Sequence, residues 1–262
     1  MPEISAVIIT LNEEQRIGQC LESVRNVVDE IVVVDSFSTD RTGEICRKYG
    51  ARFIEHAFNG HIEQKNYALS QALFDHVLCL DADEELTPVM QESIKEIKGN
   101  WTHDTYSFNR LTWYCGKWIR YSTWYPSRKV RLVDRRKAQW EGINPHDCLQ
   151  PAPGTSRKHL KGDLLHYSYE TVDEHVQKIK RYAELASQAY FAAGKSSNPL
   201  KIFFNPIWRF LRDYILELGF LDGKQGFIIA RLSARETFYK YRNIRRLYRD
   251  SKIKLSGTDS RS

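Results

Sequence analysis

The sequence predicts an α/β fold, a mainly parallel and doubly wound sheet followed by a C-terminal amphipathic helical extension. Three observations predict it. Short apolar, β-branched runs recur through the first 80 residues with helix-patterned stretches between them, as expected of strands buried on both faces of a parallel sheet. These runs end at polar residues, Thr10, Asp35 and Asp81, and ligands bind beyond the carboxyl ends of such strands. Past Pro206 the pattern changes to apolar residues at helical spacing interleaved with arginines.

Ile4 to Thr10 is the first strand, and Glu13 to Val24, with Ile17, Leu21 and Val24 at helical spacing, is the first helix. Glu30 to Val34 forms a second strand ending at Asp35. Ser38, Thr39 and Asp40 then supply capping groups for a helix that runs to Tyr49 and is closed by Gly50. Ala51 to Ile54 is a third strand, Gln64 to Phe74 a third helix and His76 to Leu80 a fourth strand. Thr87 as N-cap and Pro88 at the first helical position open a helix to Lys98. Residues 101–140 hold five of the six tryptophans and read as antiparallel strands and long loops. Pro151 to Gly154 is a turn, Val172 to Ala193 a long helix and Gly194 to Pro206 a break. Two amphipathic helices follow, over about 207–221 and 225–249.

With 262 residues, 42% hydrophobic and 27% charged, the chain can bury a substantial core without a disulfide or structural metal. Its five cysteines, at 20, 46, 79, 115 and 148, show no CxxC or Cys/His ligand spacing. That argues against a zinc site or disulfide framework and for a reducing compartment. No leader-like stretch opens the sequence, and no window reaches the roughly 18 apolar residues of a spanning helix, so a cytoplasmic protein is expected. The net charge of +6 is uneven: residues 224–254 carry ten Lys/Arg against Glu236 and Asp250, a local +8 on a body of −2. A basic tail of this kind points to an anionic surface, either a membrane leaflet or nucleic acid.

Asp81 and Asp83, one residue apart at the end of the fourth strand, carry the strongest chemical signal. Phosphates approach a carboxylate pair only through a divalent cation, and hard oxygen ligands suit Mg²⁺ or Mn²⁺. The alternative role, capping the next helix, is already filled by Thr87 and Pro88. Asp35, leading the turn Asp35 to Thr42, is placed to accept hydrogen bonds from a base or ribose, or else merely opens a helix. After the first strand, Thr10-Leu11-Asn12-Glu13 contains neither GxGxxG nor GxxxxGK[ST], so no glycine cradle is available for phosphate. Metal and basic side chains must then neutralise it. Lys65, at a helix start, is positioned to do so unless it is a solvated surface lysine.

A T-x-N-E loop, a D-x-x-S-x-D-x-T turn and a D-x-D occur in that order as Thr10 to Glu13, Asp35 to Thr42 and Asp81 to Asp83. In this combination the chain resembles the family 2 glycosyltransferases, which have the GT-A fold. The resemblance implies a nucleotide-sugar donor, a UDP-hexose, surrounded by Thr10, Asn12, Glu13, Asp35, Lys65 and Asp81. It also implies Mg²⁺ or Mn²⁺ held by Asp83 with Asp81, and His166 as the histidine that completes the metal shell in some GT-A enzymes. Trp140 to Asp147, Leu165 to Tyr169 and a helix bearing Lys178, Tyr182 and Ala183 resemble the lipopolysaccharide core glucosyltransferase branch. That branch reads W-x-G-x-V-H-E, whereas this chain has Asn144-Pro145-His146-Asp147, one residue longer and with Asp for Glu. On this basis residues 1–170 form the catalytic domain, with a nucleotide-sugar half, 1–99, and an acceptor half, 100–170. A helical extension, 171–254, and a disordered tail, 255–262, follow.

Inverting transfer needs a carboxylate that takes the acceptor hydroxyl proton. Asp147 is the first candidate, with Glu141 and Glu84 as alternatives. Trp113, Trp118, Trp124 and Trp140 offer indole faces to sugar rings or else serve as core, and Arg131 and His146 complete the expected acceptor contacts. The stripe Trp208, Leu211, Ile215 and Leu218, opposite Arg209 and Arg212, fits an interfacial membrane anchor or packing on the catalytic domain. The expected activity is transfer of a hexose from a UDP-sugar to a lipid-linked or cell-envelope saccharide. Residues 207–254 would touch the inner face of the cytoplasmic membrane, and nucleic acid is not expected as a partner. A sugar nucleotidyltransferase would want a Gly- and Arg-rich first loop, which is absent. A non-enzymatic RNA- or membrane-binding module leaves Asp81 and Asp83 unexplained.

Overall fold

A computed structural model of the chain describes residues 2–143 and 146–258, without the side chains of residues 143, 146 and 252–258. The chain divides into two compact units, Met1–Thr112 with Pro126–Ser168, and Trp113–Tyr125 with Tyr169–Ser262.

In the first unit β1 (Ile4–Thr10), β2 (Glu30–Asp35), β3 (Arg52–Glu55) and β4 (His76–Asp81) pair in parallel in the spatial order β3-β2-β1-β4. Successive residues of a strand face opposite sides, and both sides are covered. Ile4, Ala6, Ile8, Val33, Leu78 and Leu80 pack against α1 (Ile17–Val24), α2 (Thr42–Lys48) and α4 (Pro88–Gly99). Val7, Val32, Val34, Val77 and Cys79 pack against α3 (His61–Gln71) and a separate hairpin. That explains the unbroken apolar runs in the sequence.

Beyond β4 the sheet becomes mixed. β5 (Glu84–Leu86), β6 (Thr105–Tyr114), β7 (Lys117–Ile119), β8 (Ser127–Asp134) and β11 (Arg157–Tyr169) continue it in the order β4-β8-β6-β11-β5, with β7 beside β6. β8 runs antiparallel to both β4 and β6. β9 (Ala138–Ile143) and β10 (His146–Pro151) form the separate antiparallel hairpin. β11 has no clean alternation of burial, and the sequence pattern does not reveal it. Helix starts also differ from expectation. Glu13 to Arg16 make a turn before α1, and α3 starts three residues earlier than its apolar spacing suggests, after Gly60.

The second unit holds α5 (Val172–Ala192), α6 (Pro199–Leu211) and α7 (Gly223–Thr258), with α7 packed on the other two. Thr171 caps α5 by accepting from the Glu174 N–H. The expected break over Gly194 to Pro206 is shorter. The Asn198 carboxamide oxygen accepts from the Lys201 N–H at 2.8 Å and Pro199 occupies the first helical position, so α6 begins there and carries Pro206 inside it. A π turn, Arg212–Leu216, and a 3-10 turn, Gly219–Asp222, replace the rest of the helix expected to reach 221. Of the tail expected to be disordered, residues 259–262 lie outside the described residues. Tyr114, Ile119 and Ile229 form a small core with Trp124 and Tyr169. Among the described residues no helix is long and apolar enough to cross a membrane. All five cysteines are free thiols.

His175 is buried in the second unit, with its Nδ1 3.0 Å from the Tyr114 hydroxyl. Burial, assisted by the Lys178 charge, pushes its pKa down to about 4. Below the ordinary value of about 6.5 the unfolded chain takes up a proton that the folded chain refuses. Stability contributed by neutral His175 is therefore complete at pH 7 and declines as pH falls towards 4, by about 2–3 kcal/mol in total. Urea titrations at pH 7 and pH 4.5 should show this loss in the parent and a markedly smaller one in His175→Gln. Equal losses would exclude His175 as the cause.

Candidate functional site

The carboxyl ends of β1, β2 and β4 lie side by side, with Thr10 in register with Asp35 and Ile9 with Asp81. Strand order reverses direction about β1, which makes this edge the switch point where parallel sheets open a crevice. The two loops that leave β1 and β2 are fastened to each other. Asn12, in a left-handed conformation (φ 53°), donates its N–H to Ser38 Oγ at 2.7 Å and accepts from the Thr39 N–H at 2.8 Å. The Glu13 N–H donates to Thr42 Oγ1 at 2.8 Å. Asp35 is buried and accepts from both the N–H and the hydroxyl of Ser38. Much of the polar content of the T-x-N-E and D-x-x-S-x-D-x-T stretches thus shapes the crevice wall. Thr10 Oγ1, by contrast, is buried without a hydrogen-bond partner among the described residues.

Next to this wall lies a charged cluster. Lys65, only 8% exposed, places its ammonium 2.9 Å from Asp81 Oδ1 and 2.8 Å from Asp147 Oδ2, over the ring of Trp140 at 4.4 Å. It is therefore not a solvated surface lysine. Burial alone would lower its pKa, but Asp81 and Asp147 outweigh it and the pKa is raised, so the ammonium stays charged. Burial likewise works to raise the pKa of Asp81, and the charges of Lys65 and Arg131 hold it well below the usual carboxylate range. Arg131 grips Glu84 through two bonds, of 3.1 and 2.7 Å, and lies 3.4 Å from Asp81 Oδ2. Glu84, an alternative candidate for the base, is fully buried in this pair with its carboxylate turned to Arg131.

Asp83 lies apart from these cations. Its Oδ2 is 3.4 Å from His166 Nε2, whose Nδ1 contacts Ser168 Oγ at 2.6 Å. The antiparallel register of β5 and β11 creates the meeting, because Glu84 is paired with His166 and the Asp83 carbonyl accepts from the Tyr167 N–H. Among the described residues no group of three His, Cys, Asp or Glu side chains is close enough to enclose a metal ion. Asp83 and His166 meet as two side chains of types that can ligate a metal.

The hairpin sorts the other candidates. Asp147 stands opposite Gly142 and Leu149 opposite Trp140, on the face turned to α3. Glu141 and Cys148 point the other way and are exposed, with Glu141 lining a cavity of about 780 Å³ that also includes Arg135, Lys137 and Gln150. Glu141 is thus not brought to the Lys65 cluster. Trp140 is 4% exposed and serves as a platform beneath Lys65, leaving little ring face for a sugar. Trp113, Trp118 and Trp124 belong to the second unit. Trp113 meets Trp118 edge-on at 5.1 Å, and Trp124 joins the cluster of Tyr114, Tyr169 and His175. The His146 side chain lies outside what the structure describes.

Three side chains escape a reading of the sequence alone. Asn66 bonds both backbone groups of Trp140, at 2.9 Å each, and ties the hairpin to α3. Gln64 links His56 to Ser36, and His56 stacks on Tyr67 at 3.7 Å, next to the end of β2. The signal for the first two was present, since Gln64 and Asn66 flank Lys65, but partners 28 and 74 residues away are invisible in local pattern.

Comparison with known proteins gives the family. The family model described as "Glycosyl transferase family 2" matches residues 5–162. An uncharacterized glycosyltransferase of Rickettsia typhi is 31% identical over 258 residues, covering 94% of this chain and 88% of that protein. The lipopolysaccharide core biosynthesis glycosyltransferase LpsC of Rhizobium meliloti is 29% identical over 252 residues, covering 91% of this chain and 93% of LpsC. Among solved structures, TarS of S. aureus (residues 1–349) aligns with 95% of this chain and 92% of its own at 17% identity, with a TM-score of 0.46. The chain belongs to glycosyl transferase family 2: it is a glycosyltransferase with the GT-A fold.

Proposed function

We propose that the enzyme transfers a hexose, with inversion, from a UDP-sugar to a lipid-linked saccharide of the cell envelope, in the manner of lipopolysaccharide core synthesis. The observation that carries this reading is Lys65, buried between Asp81 and Asp147 at the mouth of β4. A cation fixed there suits a donor diphosphate, and the carboxylate beside it suits an acceptor hydroxyl. Thr10, whose buried hydroxyl lacks a partner, together with Asp35, Asn12 and Glu13, supports a nucleoside subsite at the ends of β1 and β2. The name of LpsC supports the envelope acceptor.

In this mechanism the acceptor hydroxyl attacks the anomeric carbon and passes its proton to a carboxylate oxygen of Asp147. The new glycosidic bond forms as the bond from the anomeric carbon to the diphosphate breaks, and UDP leaves with the electron pair. Lys65 holds the Asp147 carboxylate in position and, as charge develops on the leaving diphosphate, offers that group a charge-assisted hydrogen bond. Arg131 holds Asp81 in place and is itself held by Glu84. Asp83 and His166 fit Mn²⁺ or Mg²⁺, which are commonly held by one or two protein ligands plus substrate phosphates. Such an ion supplies charge neutralisation for the diphosphate.

Two measurements test this reading. Release of UDP from a panel of UDP-hexoses with Mn²⁺ should fall by about 10²–10⁴-fold in Asp147→Asn, the usual weight of a general base, with UDP affinity nearly unchanged. Parent-like turnover in that variant would remove Asp147 from the chemistry. In calorimetry, the Mn²⁺-dependent increase in UDP affinity should disappear in Asp83→Ala, while metal-free UDP binding persists. If Asp83→Ala responds to Mn²⁺ as the parent does, the metal assignment is wrong.

A further inference from the structure

The second unit presents a surface that the transfer reaction does not use. In α6, Leu200, Phe203, Phe204, Ile207, Trp208 and Leu211 follow one helical stripe, and each is 39–65% exposed. Ile215 extends the stripe into the π turn and is also exposed. No residue of α6 is buried. The helix meets α7 through its other side: Ile202, Pro206 and Phe210 are half-buried, and the Phe210 ring meets Phe227 edge-on at 5.9 Å. A helix that serves only to pack turns its apolar stripe inward. This one turns it outward, and a contiguous exposed patch of that kind marks an interaction surface.

Charge identifies the occupant. Over residues 199–224 the cations are Lys201, Arg209, Arg212 and Lys224, and the acids are Asp213, Glu217 and Asp222. Two of these acids are consumed within the unit, and Asp213 engages Arg209 and Arg212 in turn, so Lys201 and Lys224 are the cations of the stretch outside that pairing. Buried Asp213 accepts from Arg209 Nε at 2.5 Å and Arg212 Nη2 at 2.8 Å, and buried Asp222 accepts from the N–H groups of Arg120 and Tyr121. Glu217 is the exposed acid of the stretch, and α7 adds the strong Lys/Arg excess that begins at Lys224. A second copy of the chain would bring like charge against like. An anionic bilayer offers acyl chains to the aromatic stripe and phosphates to the basic rim. The 13 residues of α6 are too few to span, which leaves lying in the interface.

We infer that α6 and its following π turn form an interfacial anchor that docks on an anionic phospholipid surface, with Phe203, Phe204 and Trp208 entering the headgroup region. The inference deepens the proposed function, because it places the enzyme where a lipid-linked acceptor resides. Co-sedimentation of the full chain with phosphatidylglycerol-rich and phosphatidylcholine vesicles tests it. Binding to the anionic vesicles should be tighter by about tenfold or more, and Phe203→Ser/Phe204→Ser/Trp208→Ser should lose about tenfold or more of it. These side chains are exposed, so circular dichroism and UDP affinity should match the parent. Absence of binding to anionic vesicles, or equal binding by the triple variant, overturns the anchor. So does a dimer in solution that buries this face and is lost in the triple variant. UDP calorimetry on the same samples separates the two ideas, since UDP binding without vesicle binding sinks only the anchor, and vesicle binding without UDP binding sinks only the transferase mechanism.

Discussion

Lys65 keeps a full positive charge at 8% exposure, and the rest of the site is arranged to make that tolerable. Removing an ammonium from water costs several kcal/mol, and the interior returns that only when partners stand at close range. Here they stand at 2.9 and 2.8 Å, with an indole face beneath. The three partners come from β4, β9 and β10, so one side chain of α3 fixes the end of the parallel sheet to the hairpin. Asn66, the next residue of the same helix, repeats the attachment through the Trp140 backbone. In the proposed mechanism the same ammonium stands between the donor diphosphate and the base.

The ends of β1, β2 and β4 were legible in the sequence because parallel strands buried on two faces are apolar throughout and stop abruptly at a polar residue. Thr10, Asp35 and Asp81 are those stops, and they do line one edge. The helices between them were legible as elements but not in their limits. Glu13 to Arg16 look helical in isolation, yet the Glu13 and Glu14 N–H groups are taken by Thr42 and Asp40 of the neighbouring loop. These bonds, spanning 26 to 29 residues, tie the turn to the neighbouring loop, and local pattern does not show them.

The antiparallel half was not legible for a different reason. Glu84 stands in an acidic run that reads as solvent-exposed, and its complete burial is compensated by Arg131, 47 residues later, with Arg110 and the Asp81 N–H beside it. Trp140, expected as an acceptor contact, and Glu141, expected as an alternative base, are neighbours in sequence, but strand alternation, unknown until β9 was defined, sends one towards α3 and the other outward. The aromatic content of residues 101–140 divides in the same way: Trp140 belongs to the first unit, and Trp113, Trp118 and Trp124 to the second. Composition reports how many rings there are and says nothing of how they are shared between cores.

The D-x-D spacing has a physical consequence that the motif conceals. Two residues apart on a strand would share a face, but β4 ends at Asp81, and Ala82 and Asp83 form a turn before β5 begins at Glu84. The turn separates the carboxylates. Asp81 is committed to Lys65 and Arg131, while Asp83 faces His166. Both oxygens of Asp81 are therefore engaged by cations before any ligand arrives, so a metal recruited to this edge would meet Asp83 and His166 more readily than the pair of aspartates. On the proposed reading the diphosphate is neutralised from two sides, by fixed side-chain cations next to Asp81 and by an exchangeable cation next to Asp83. That division suits a first loop that lacks a glycine cradle.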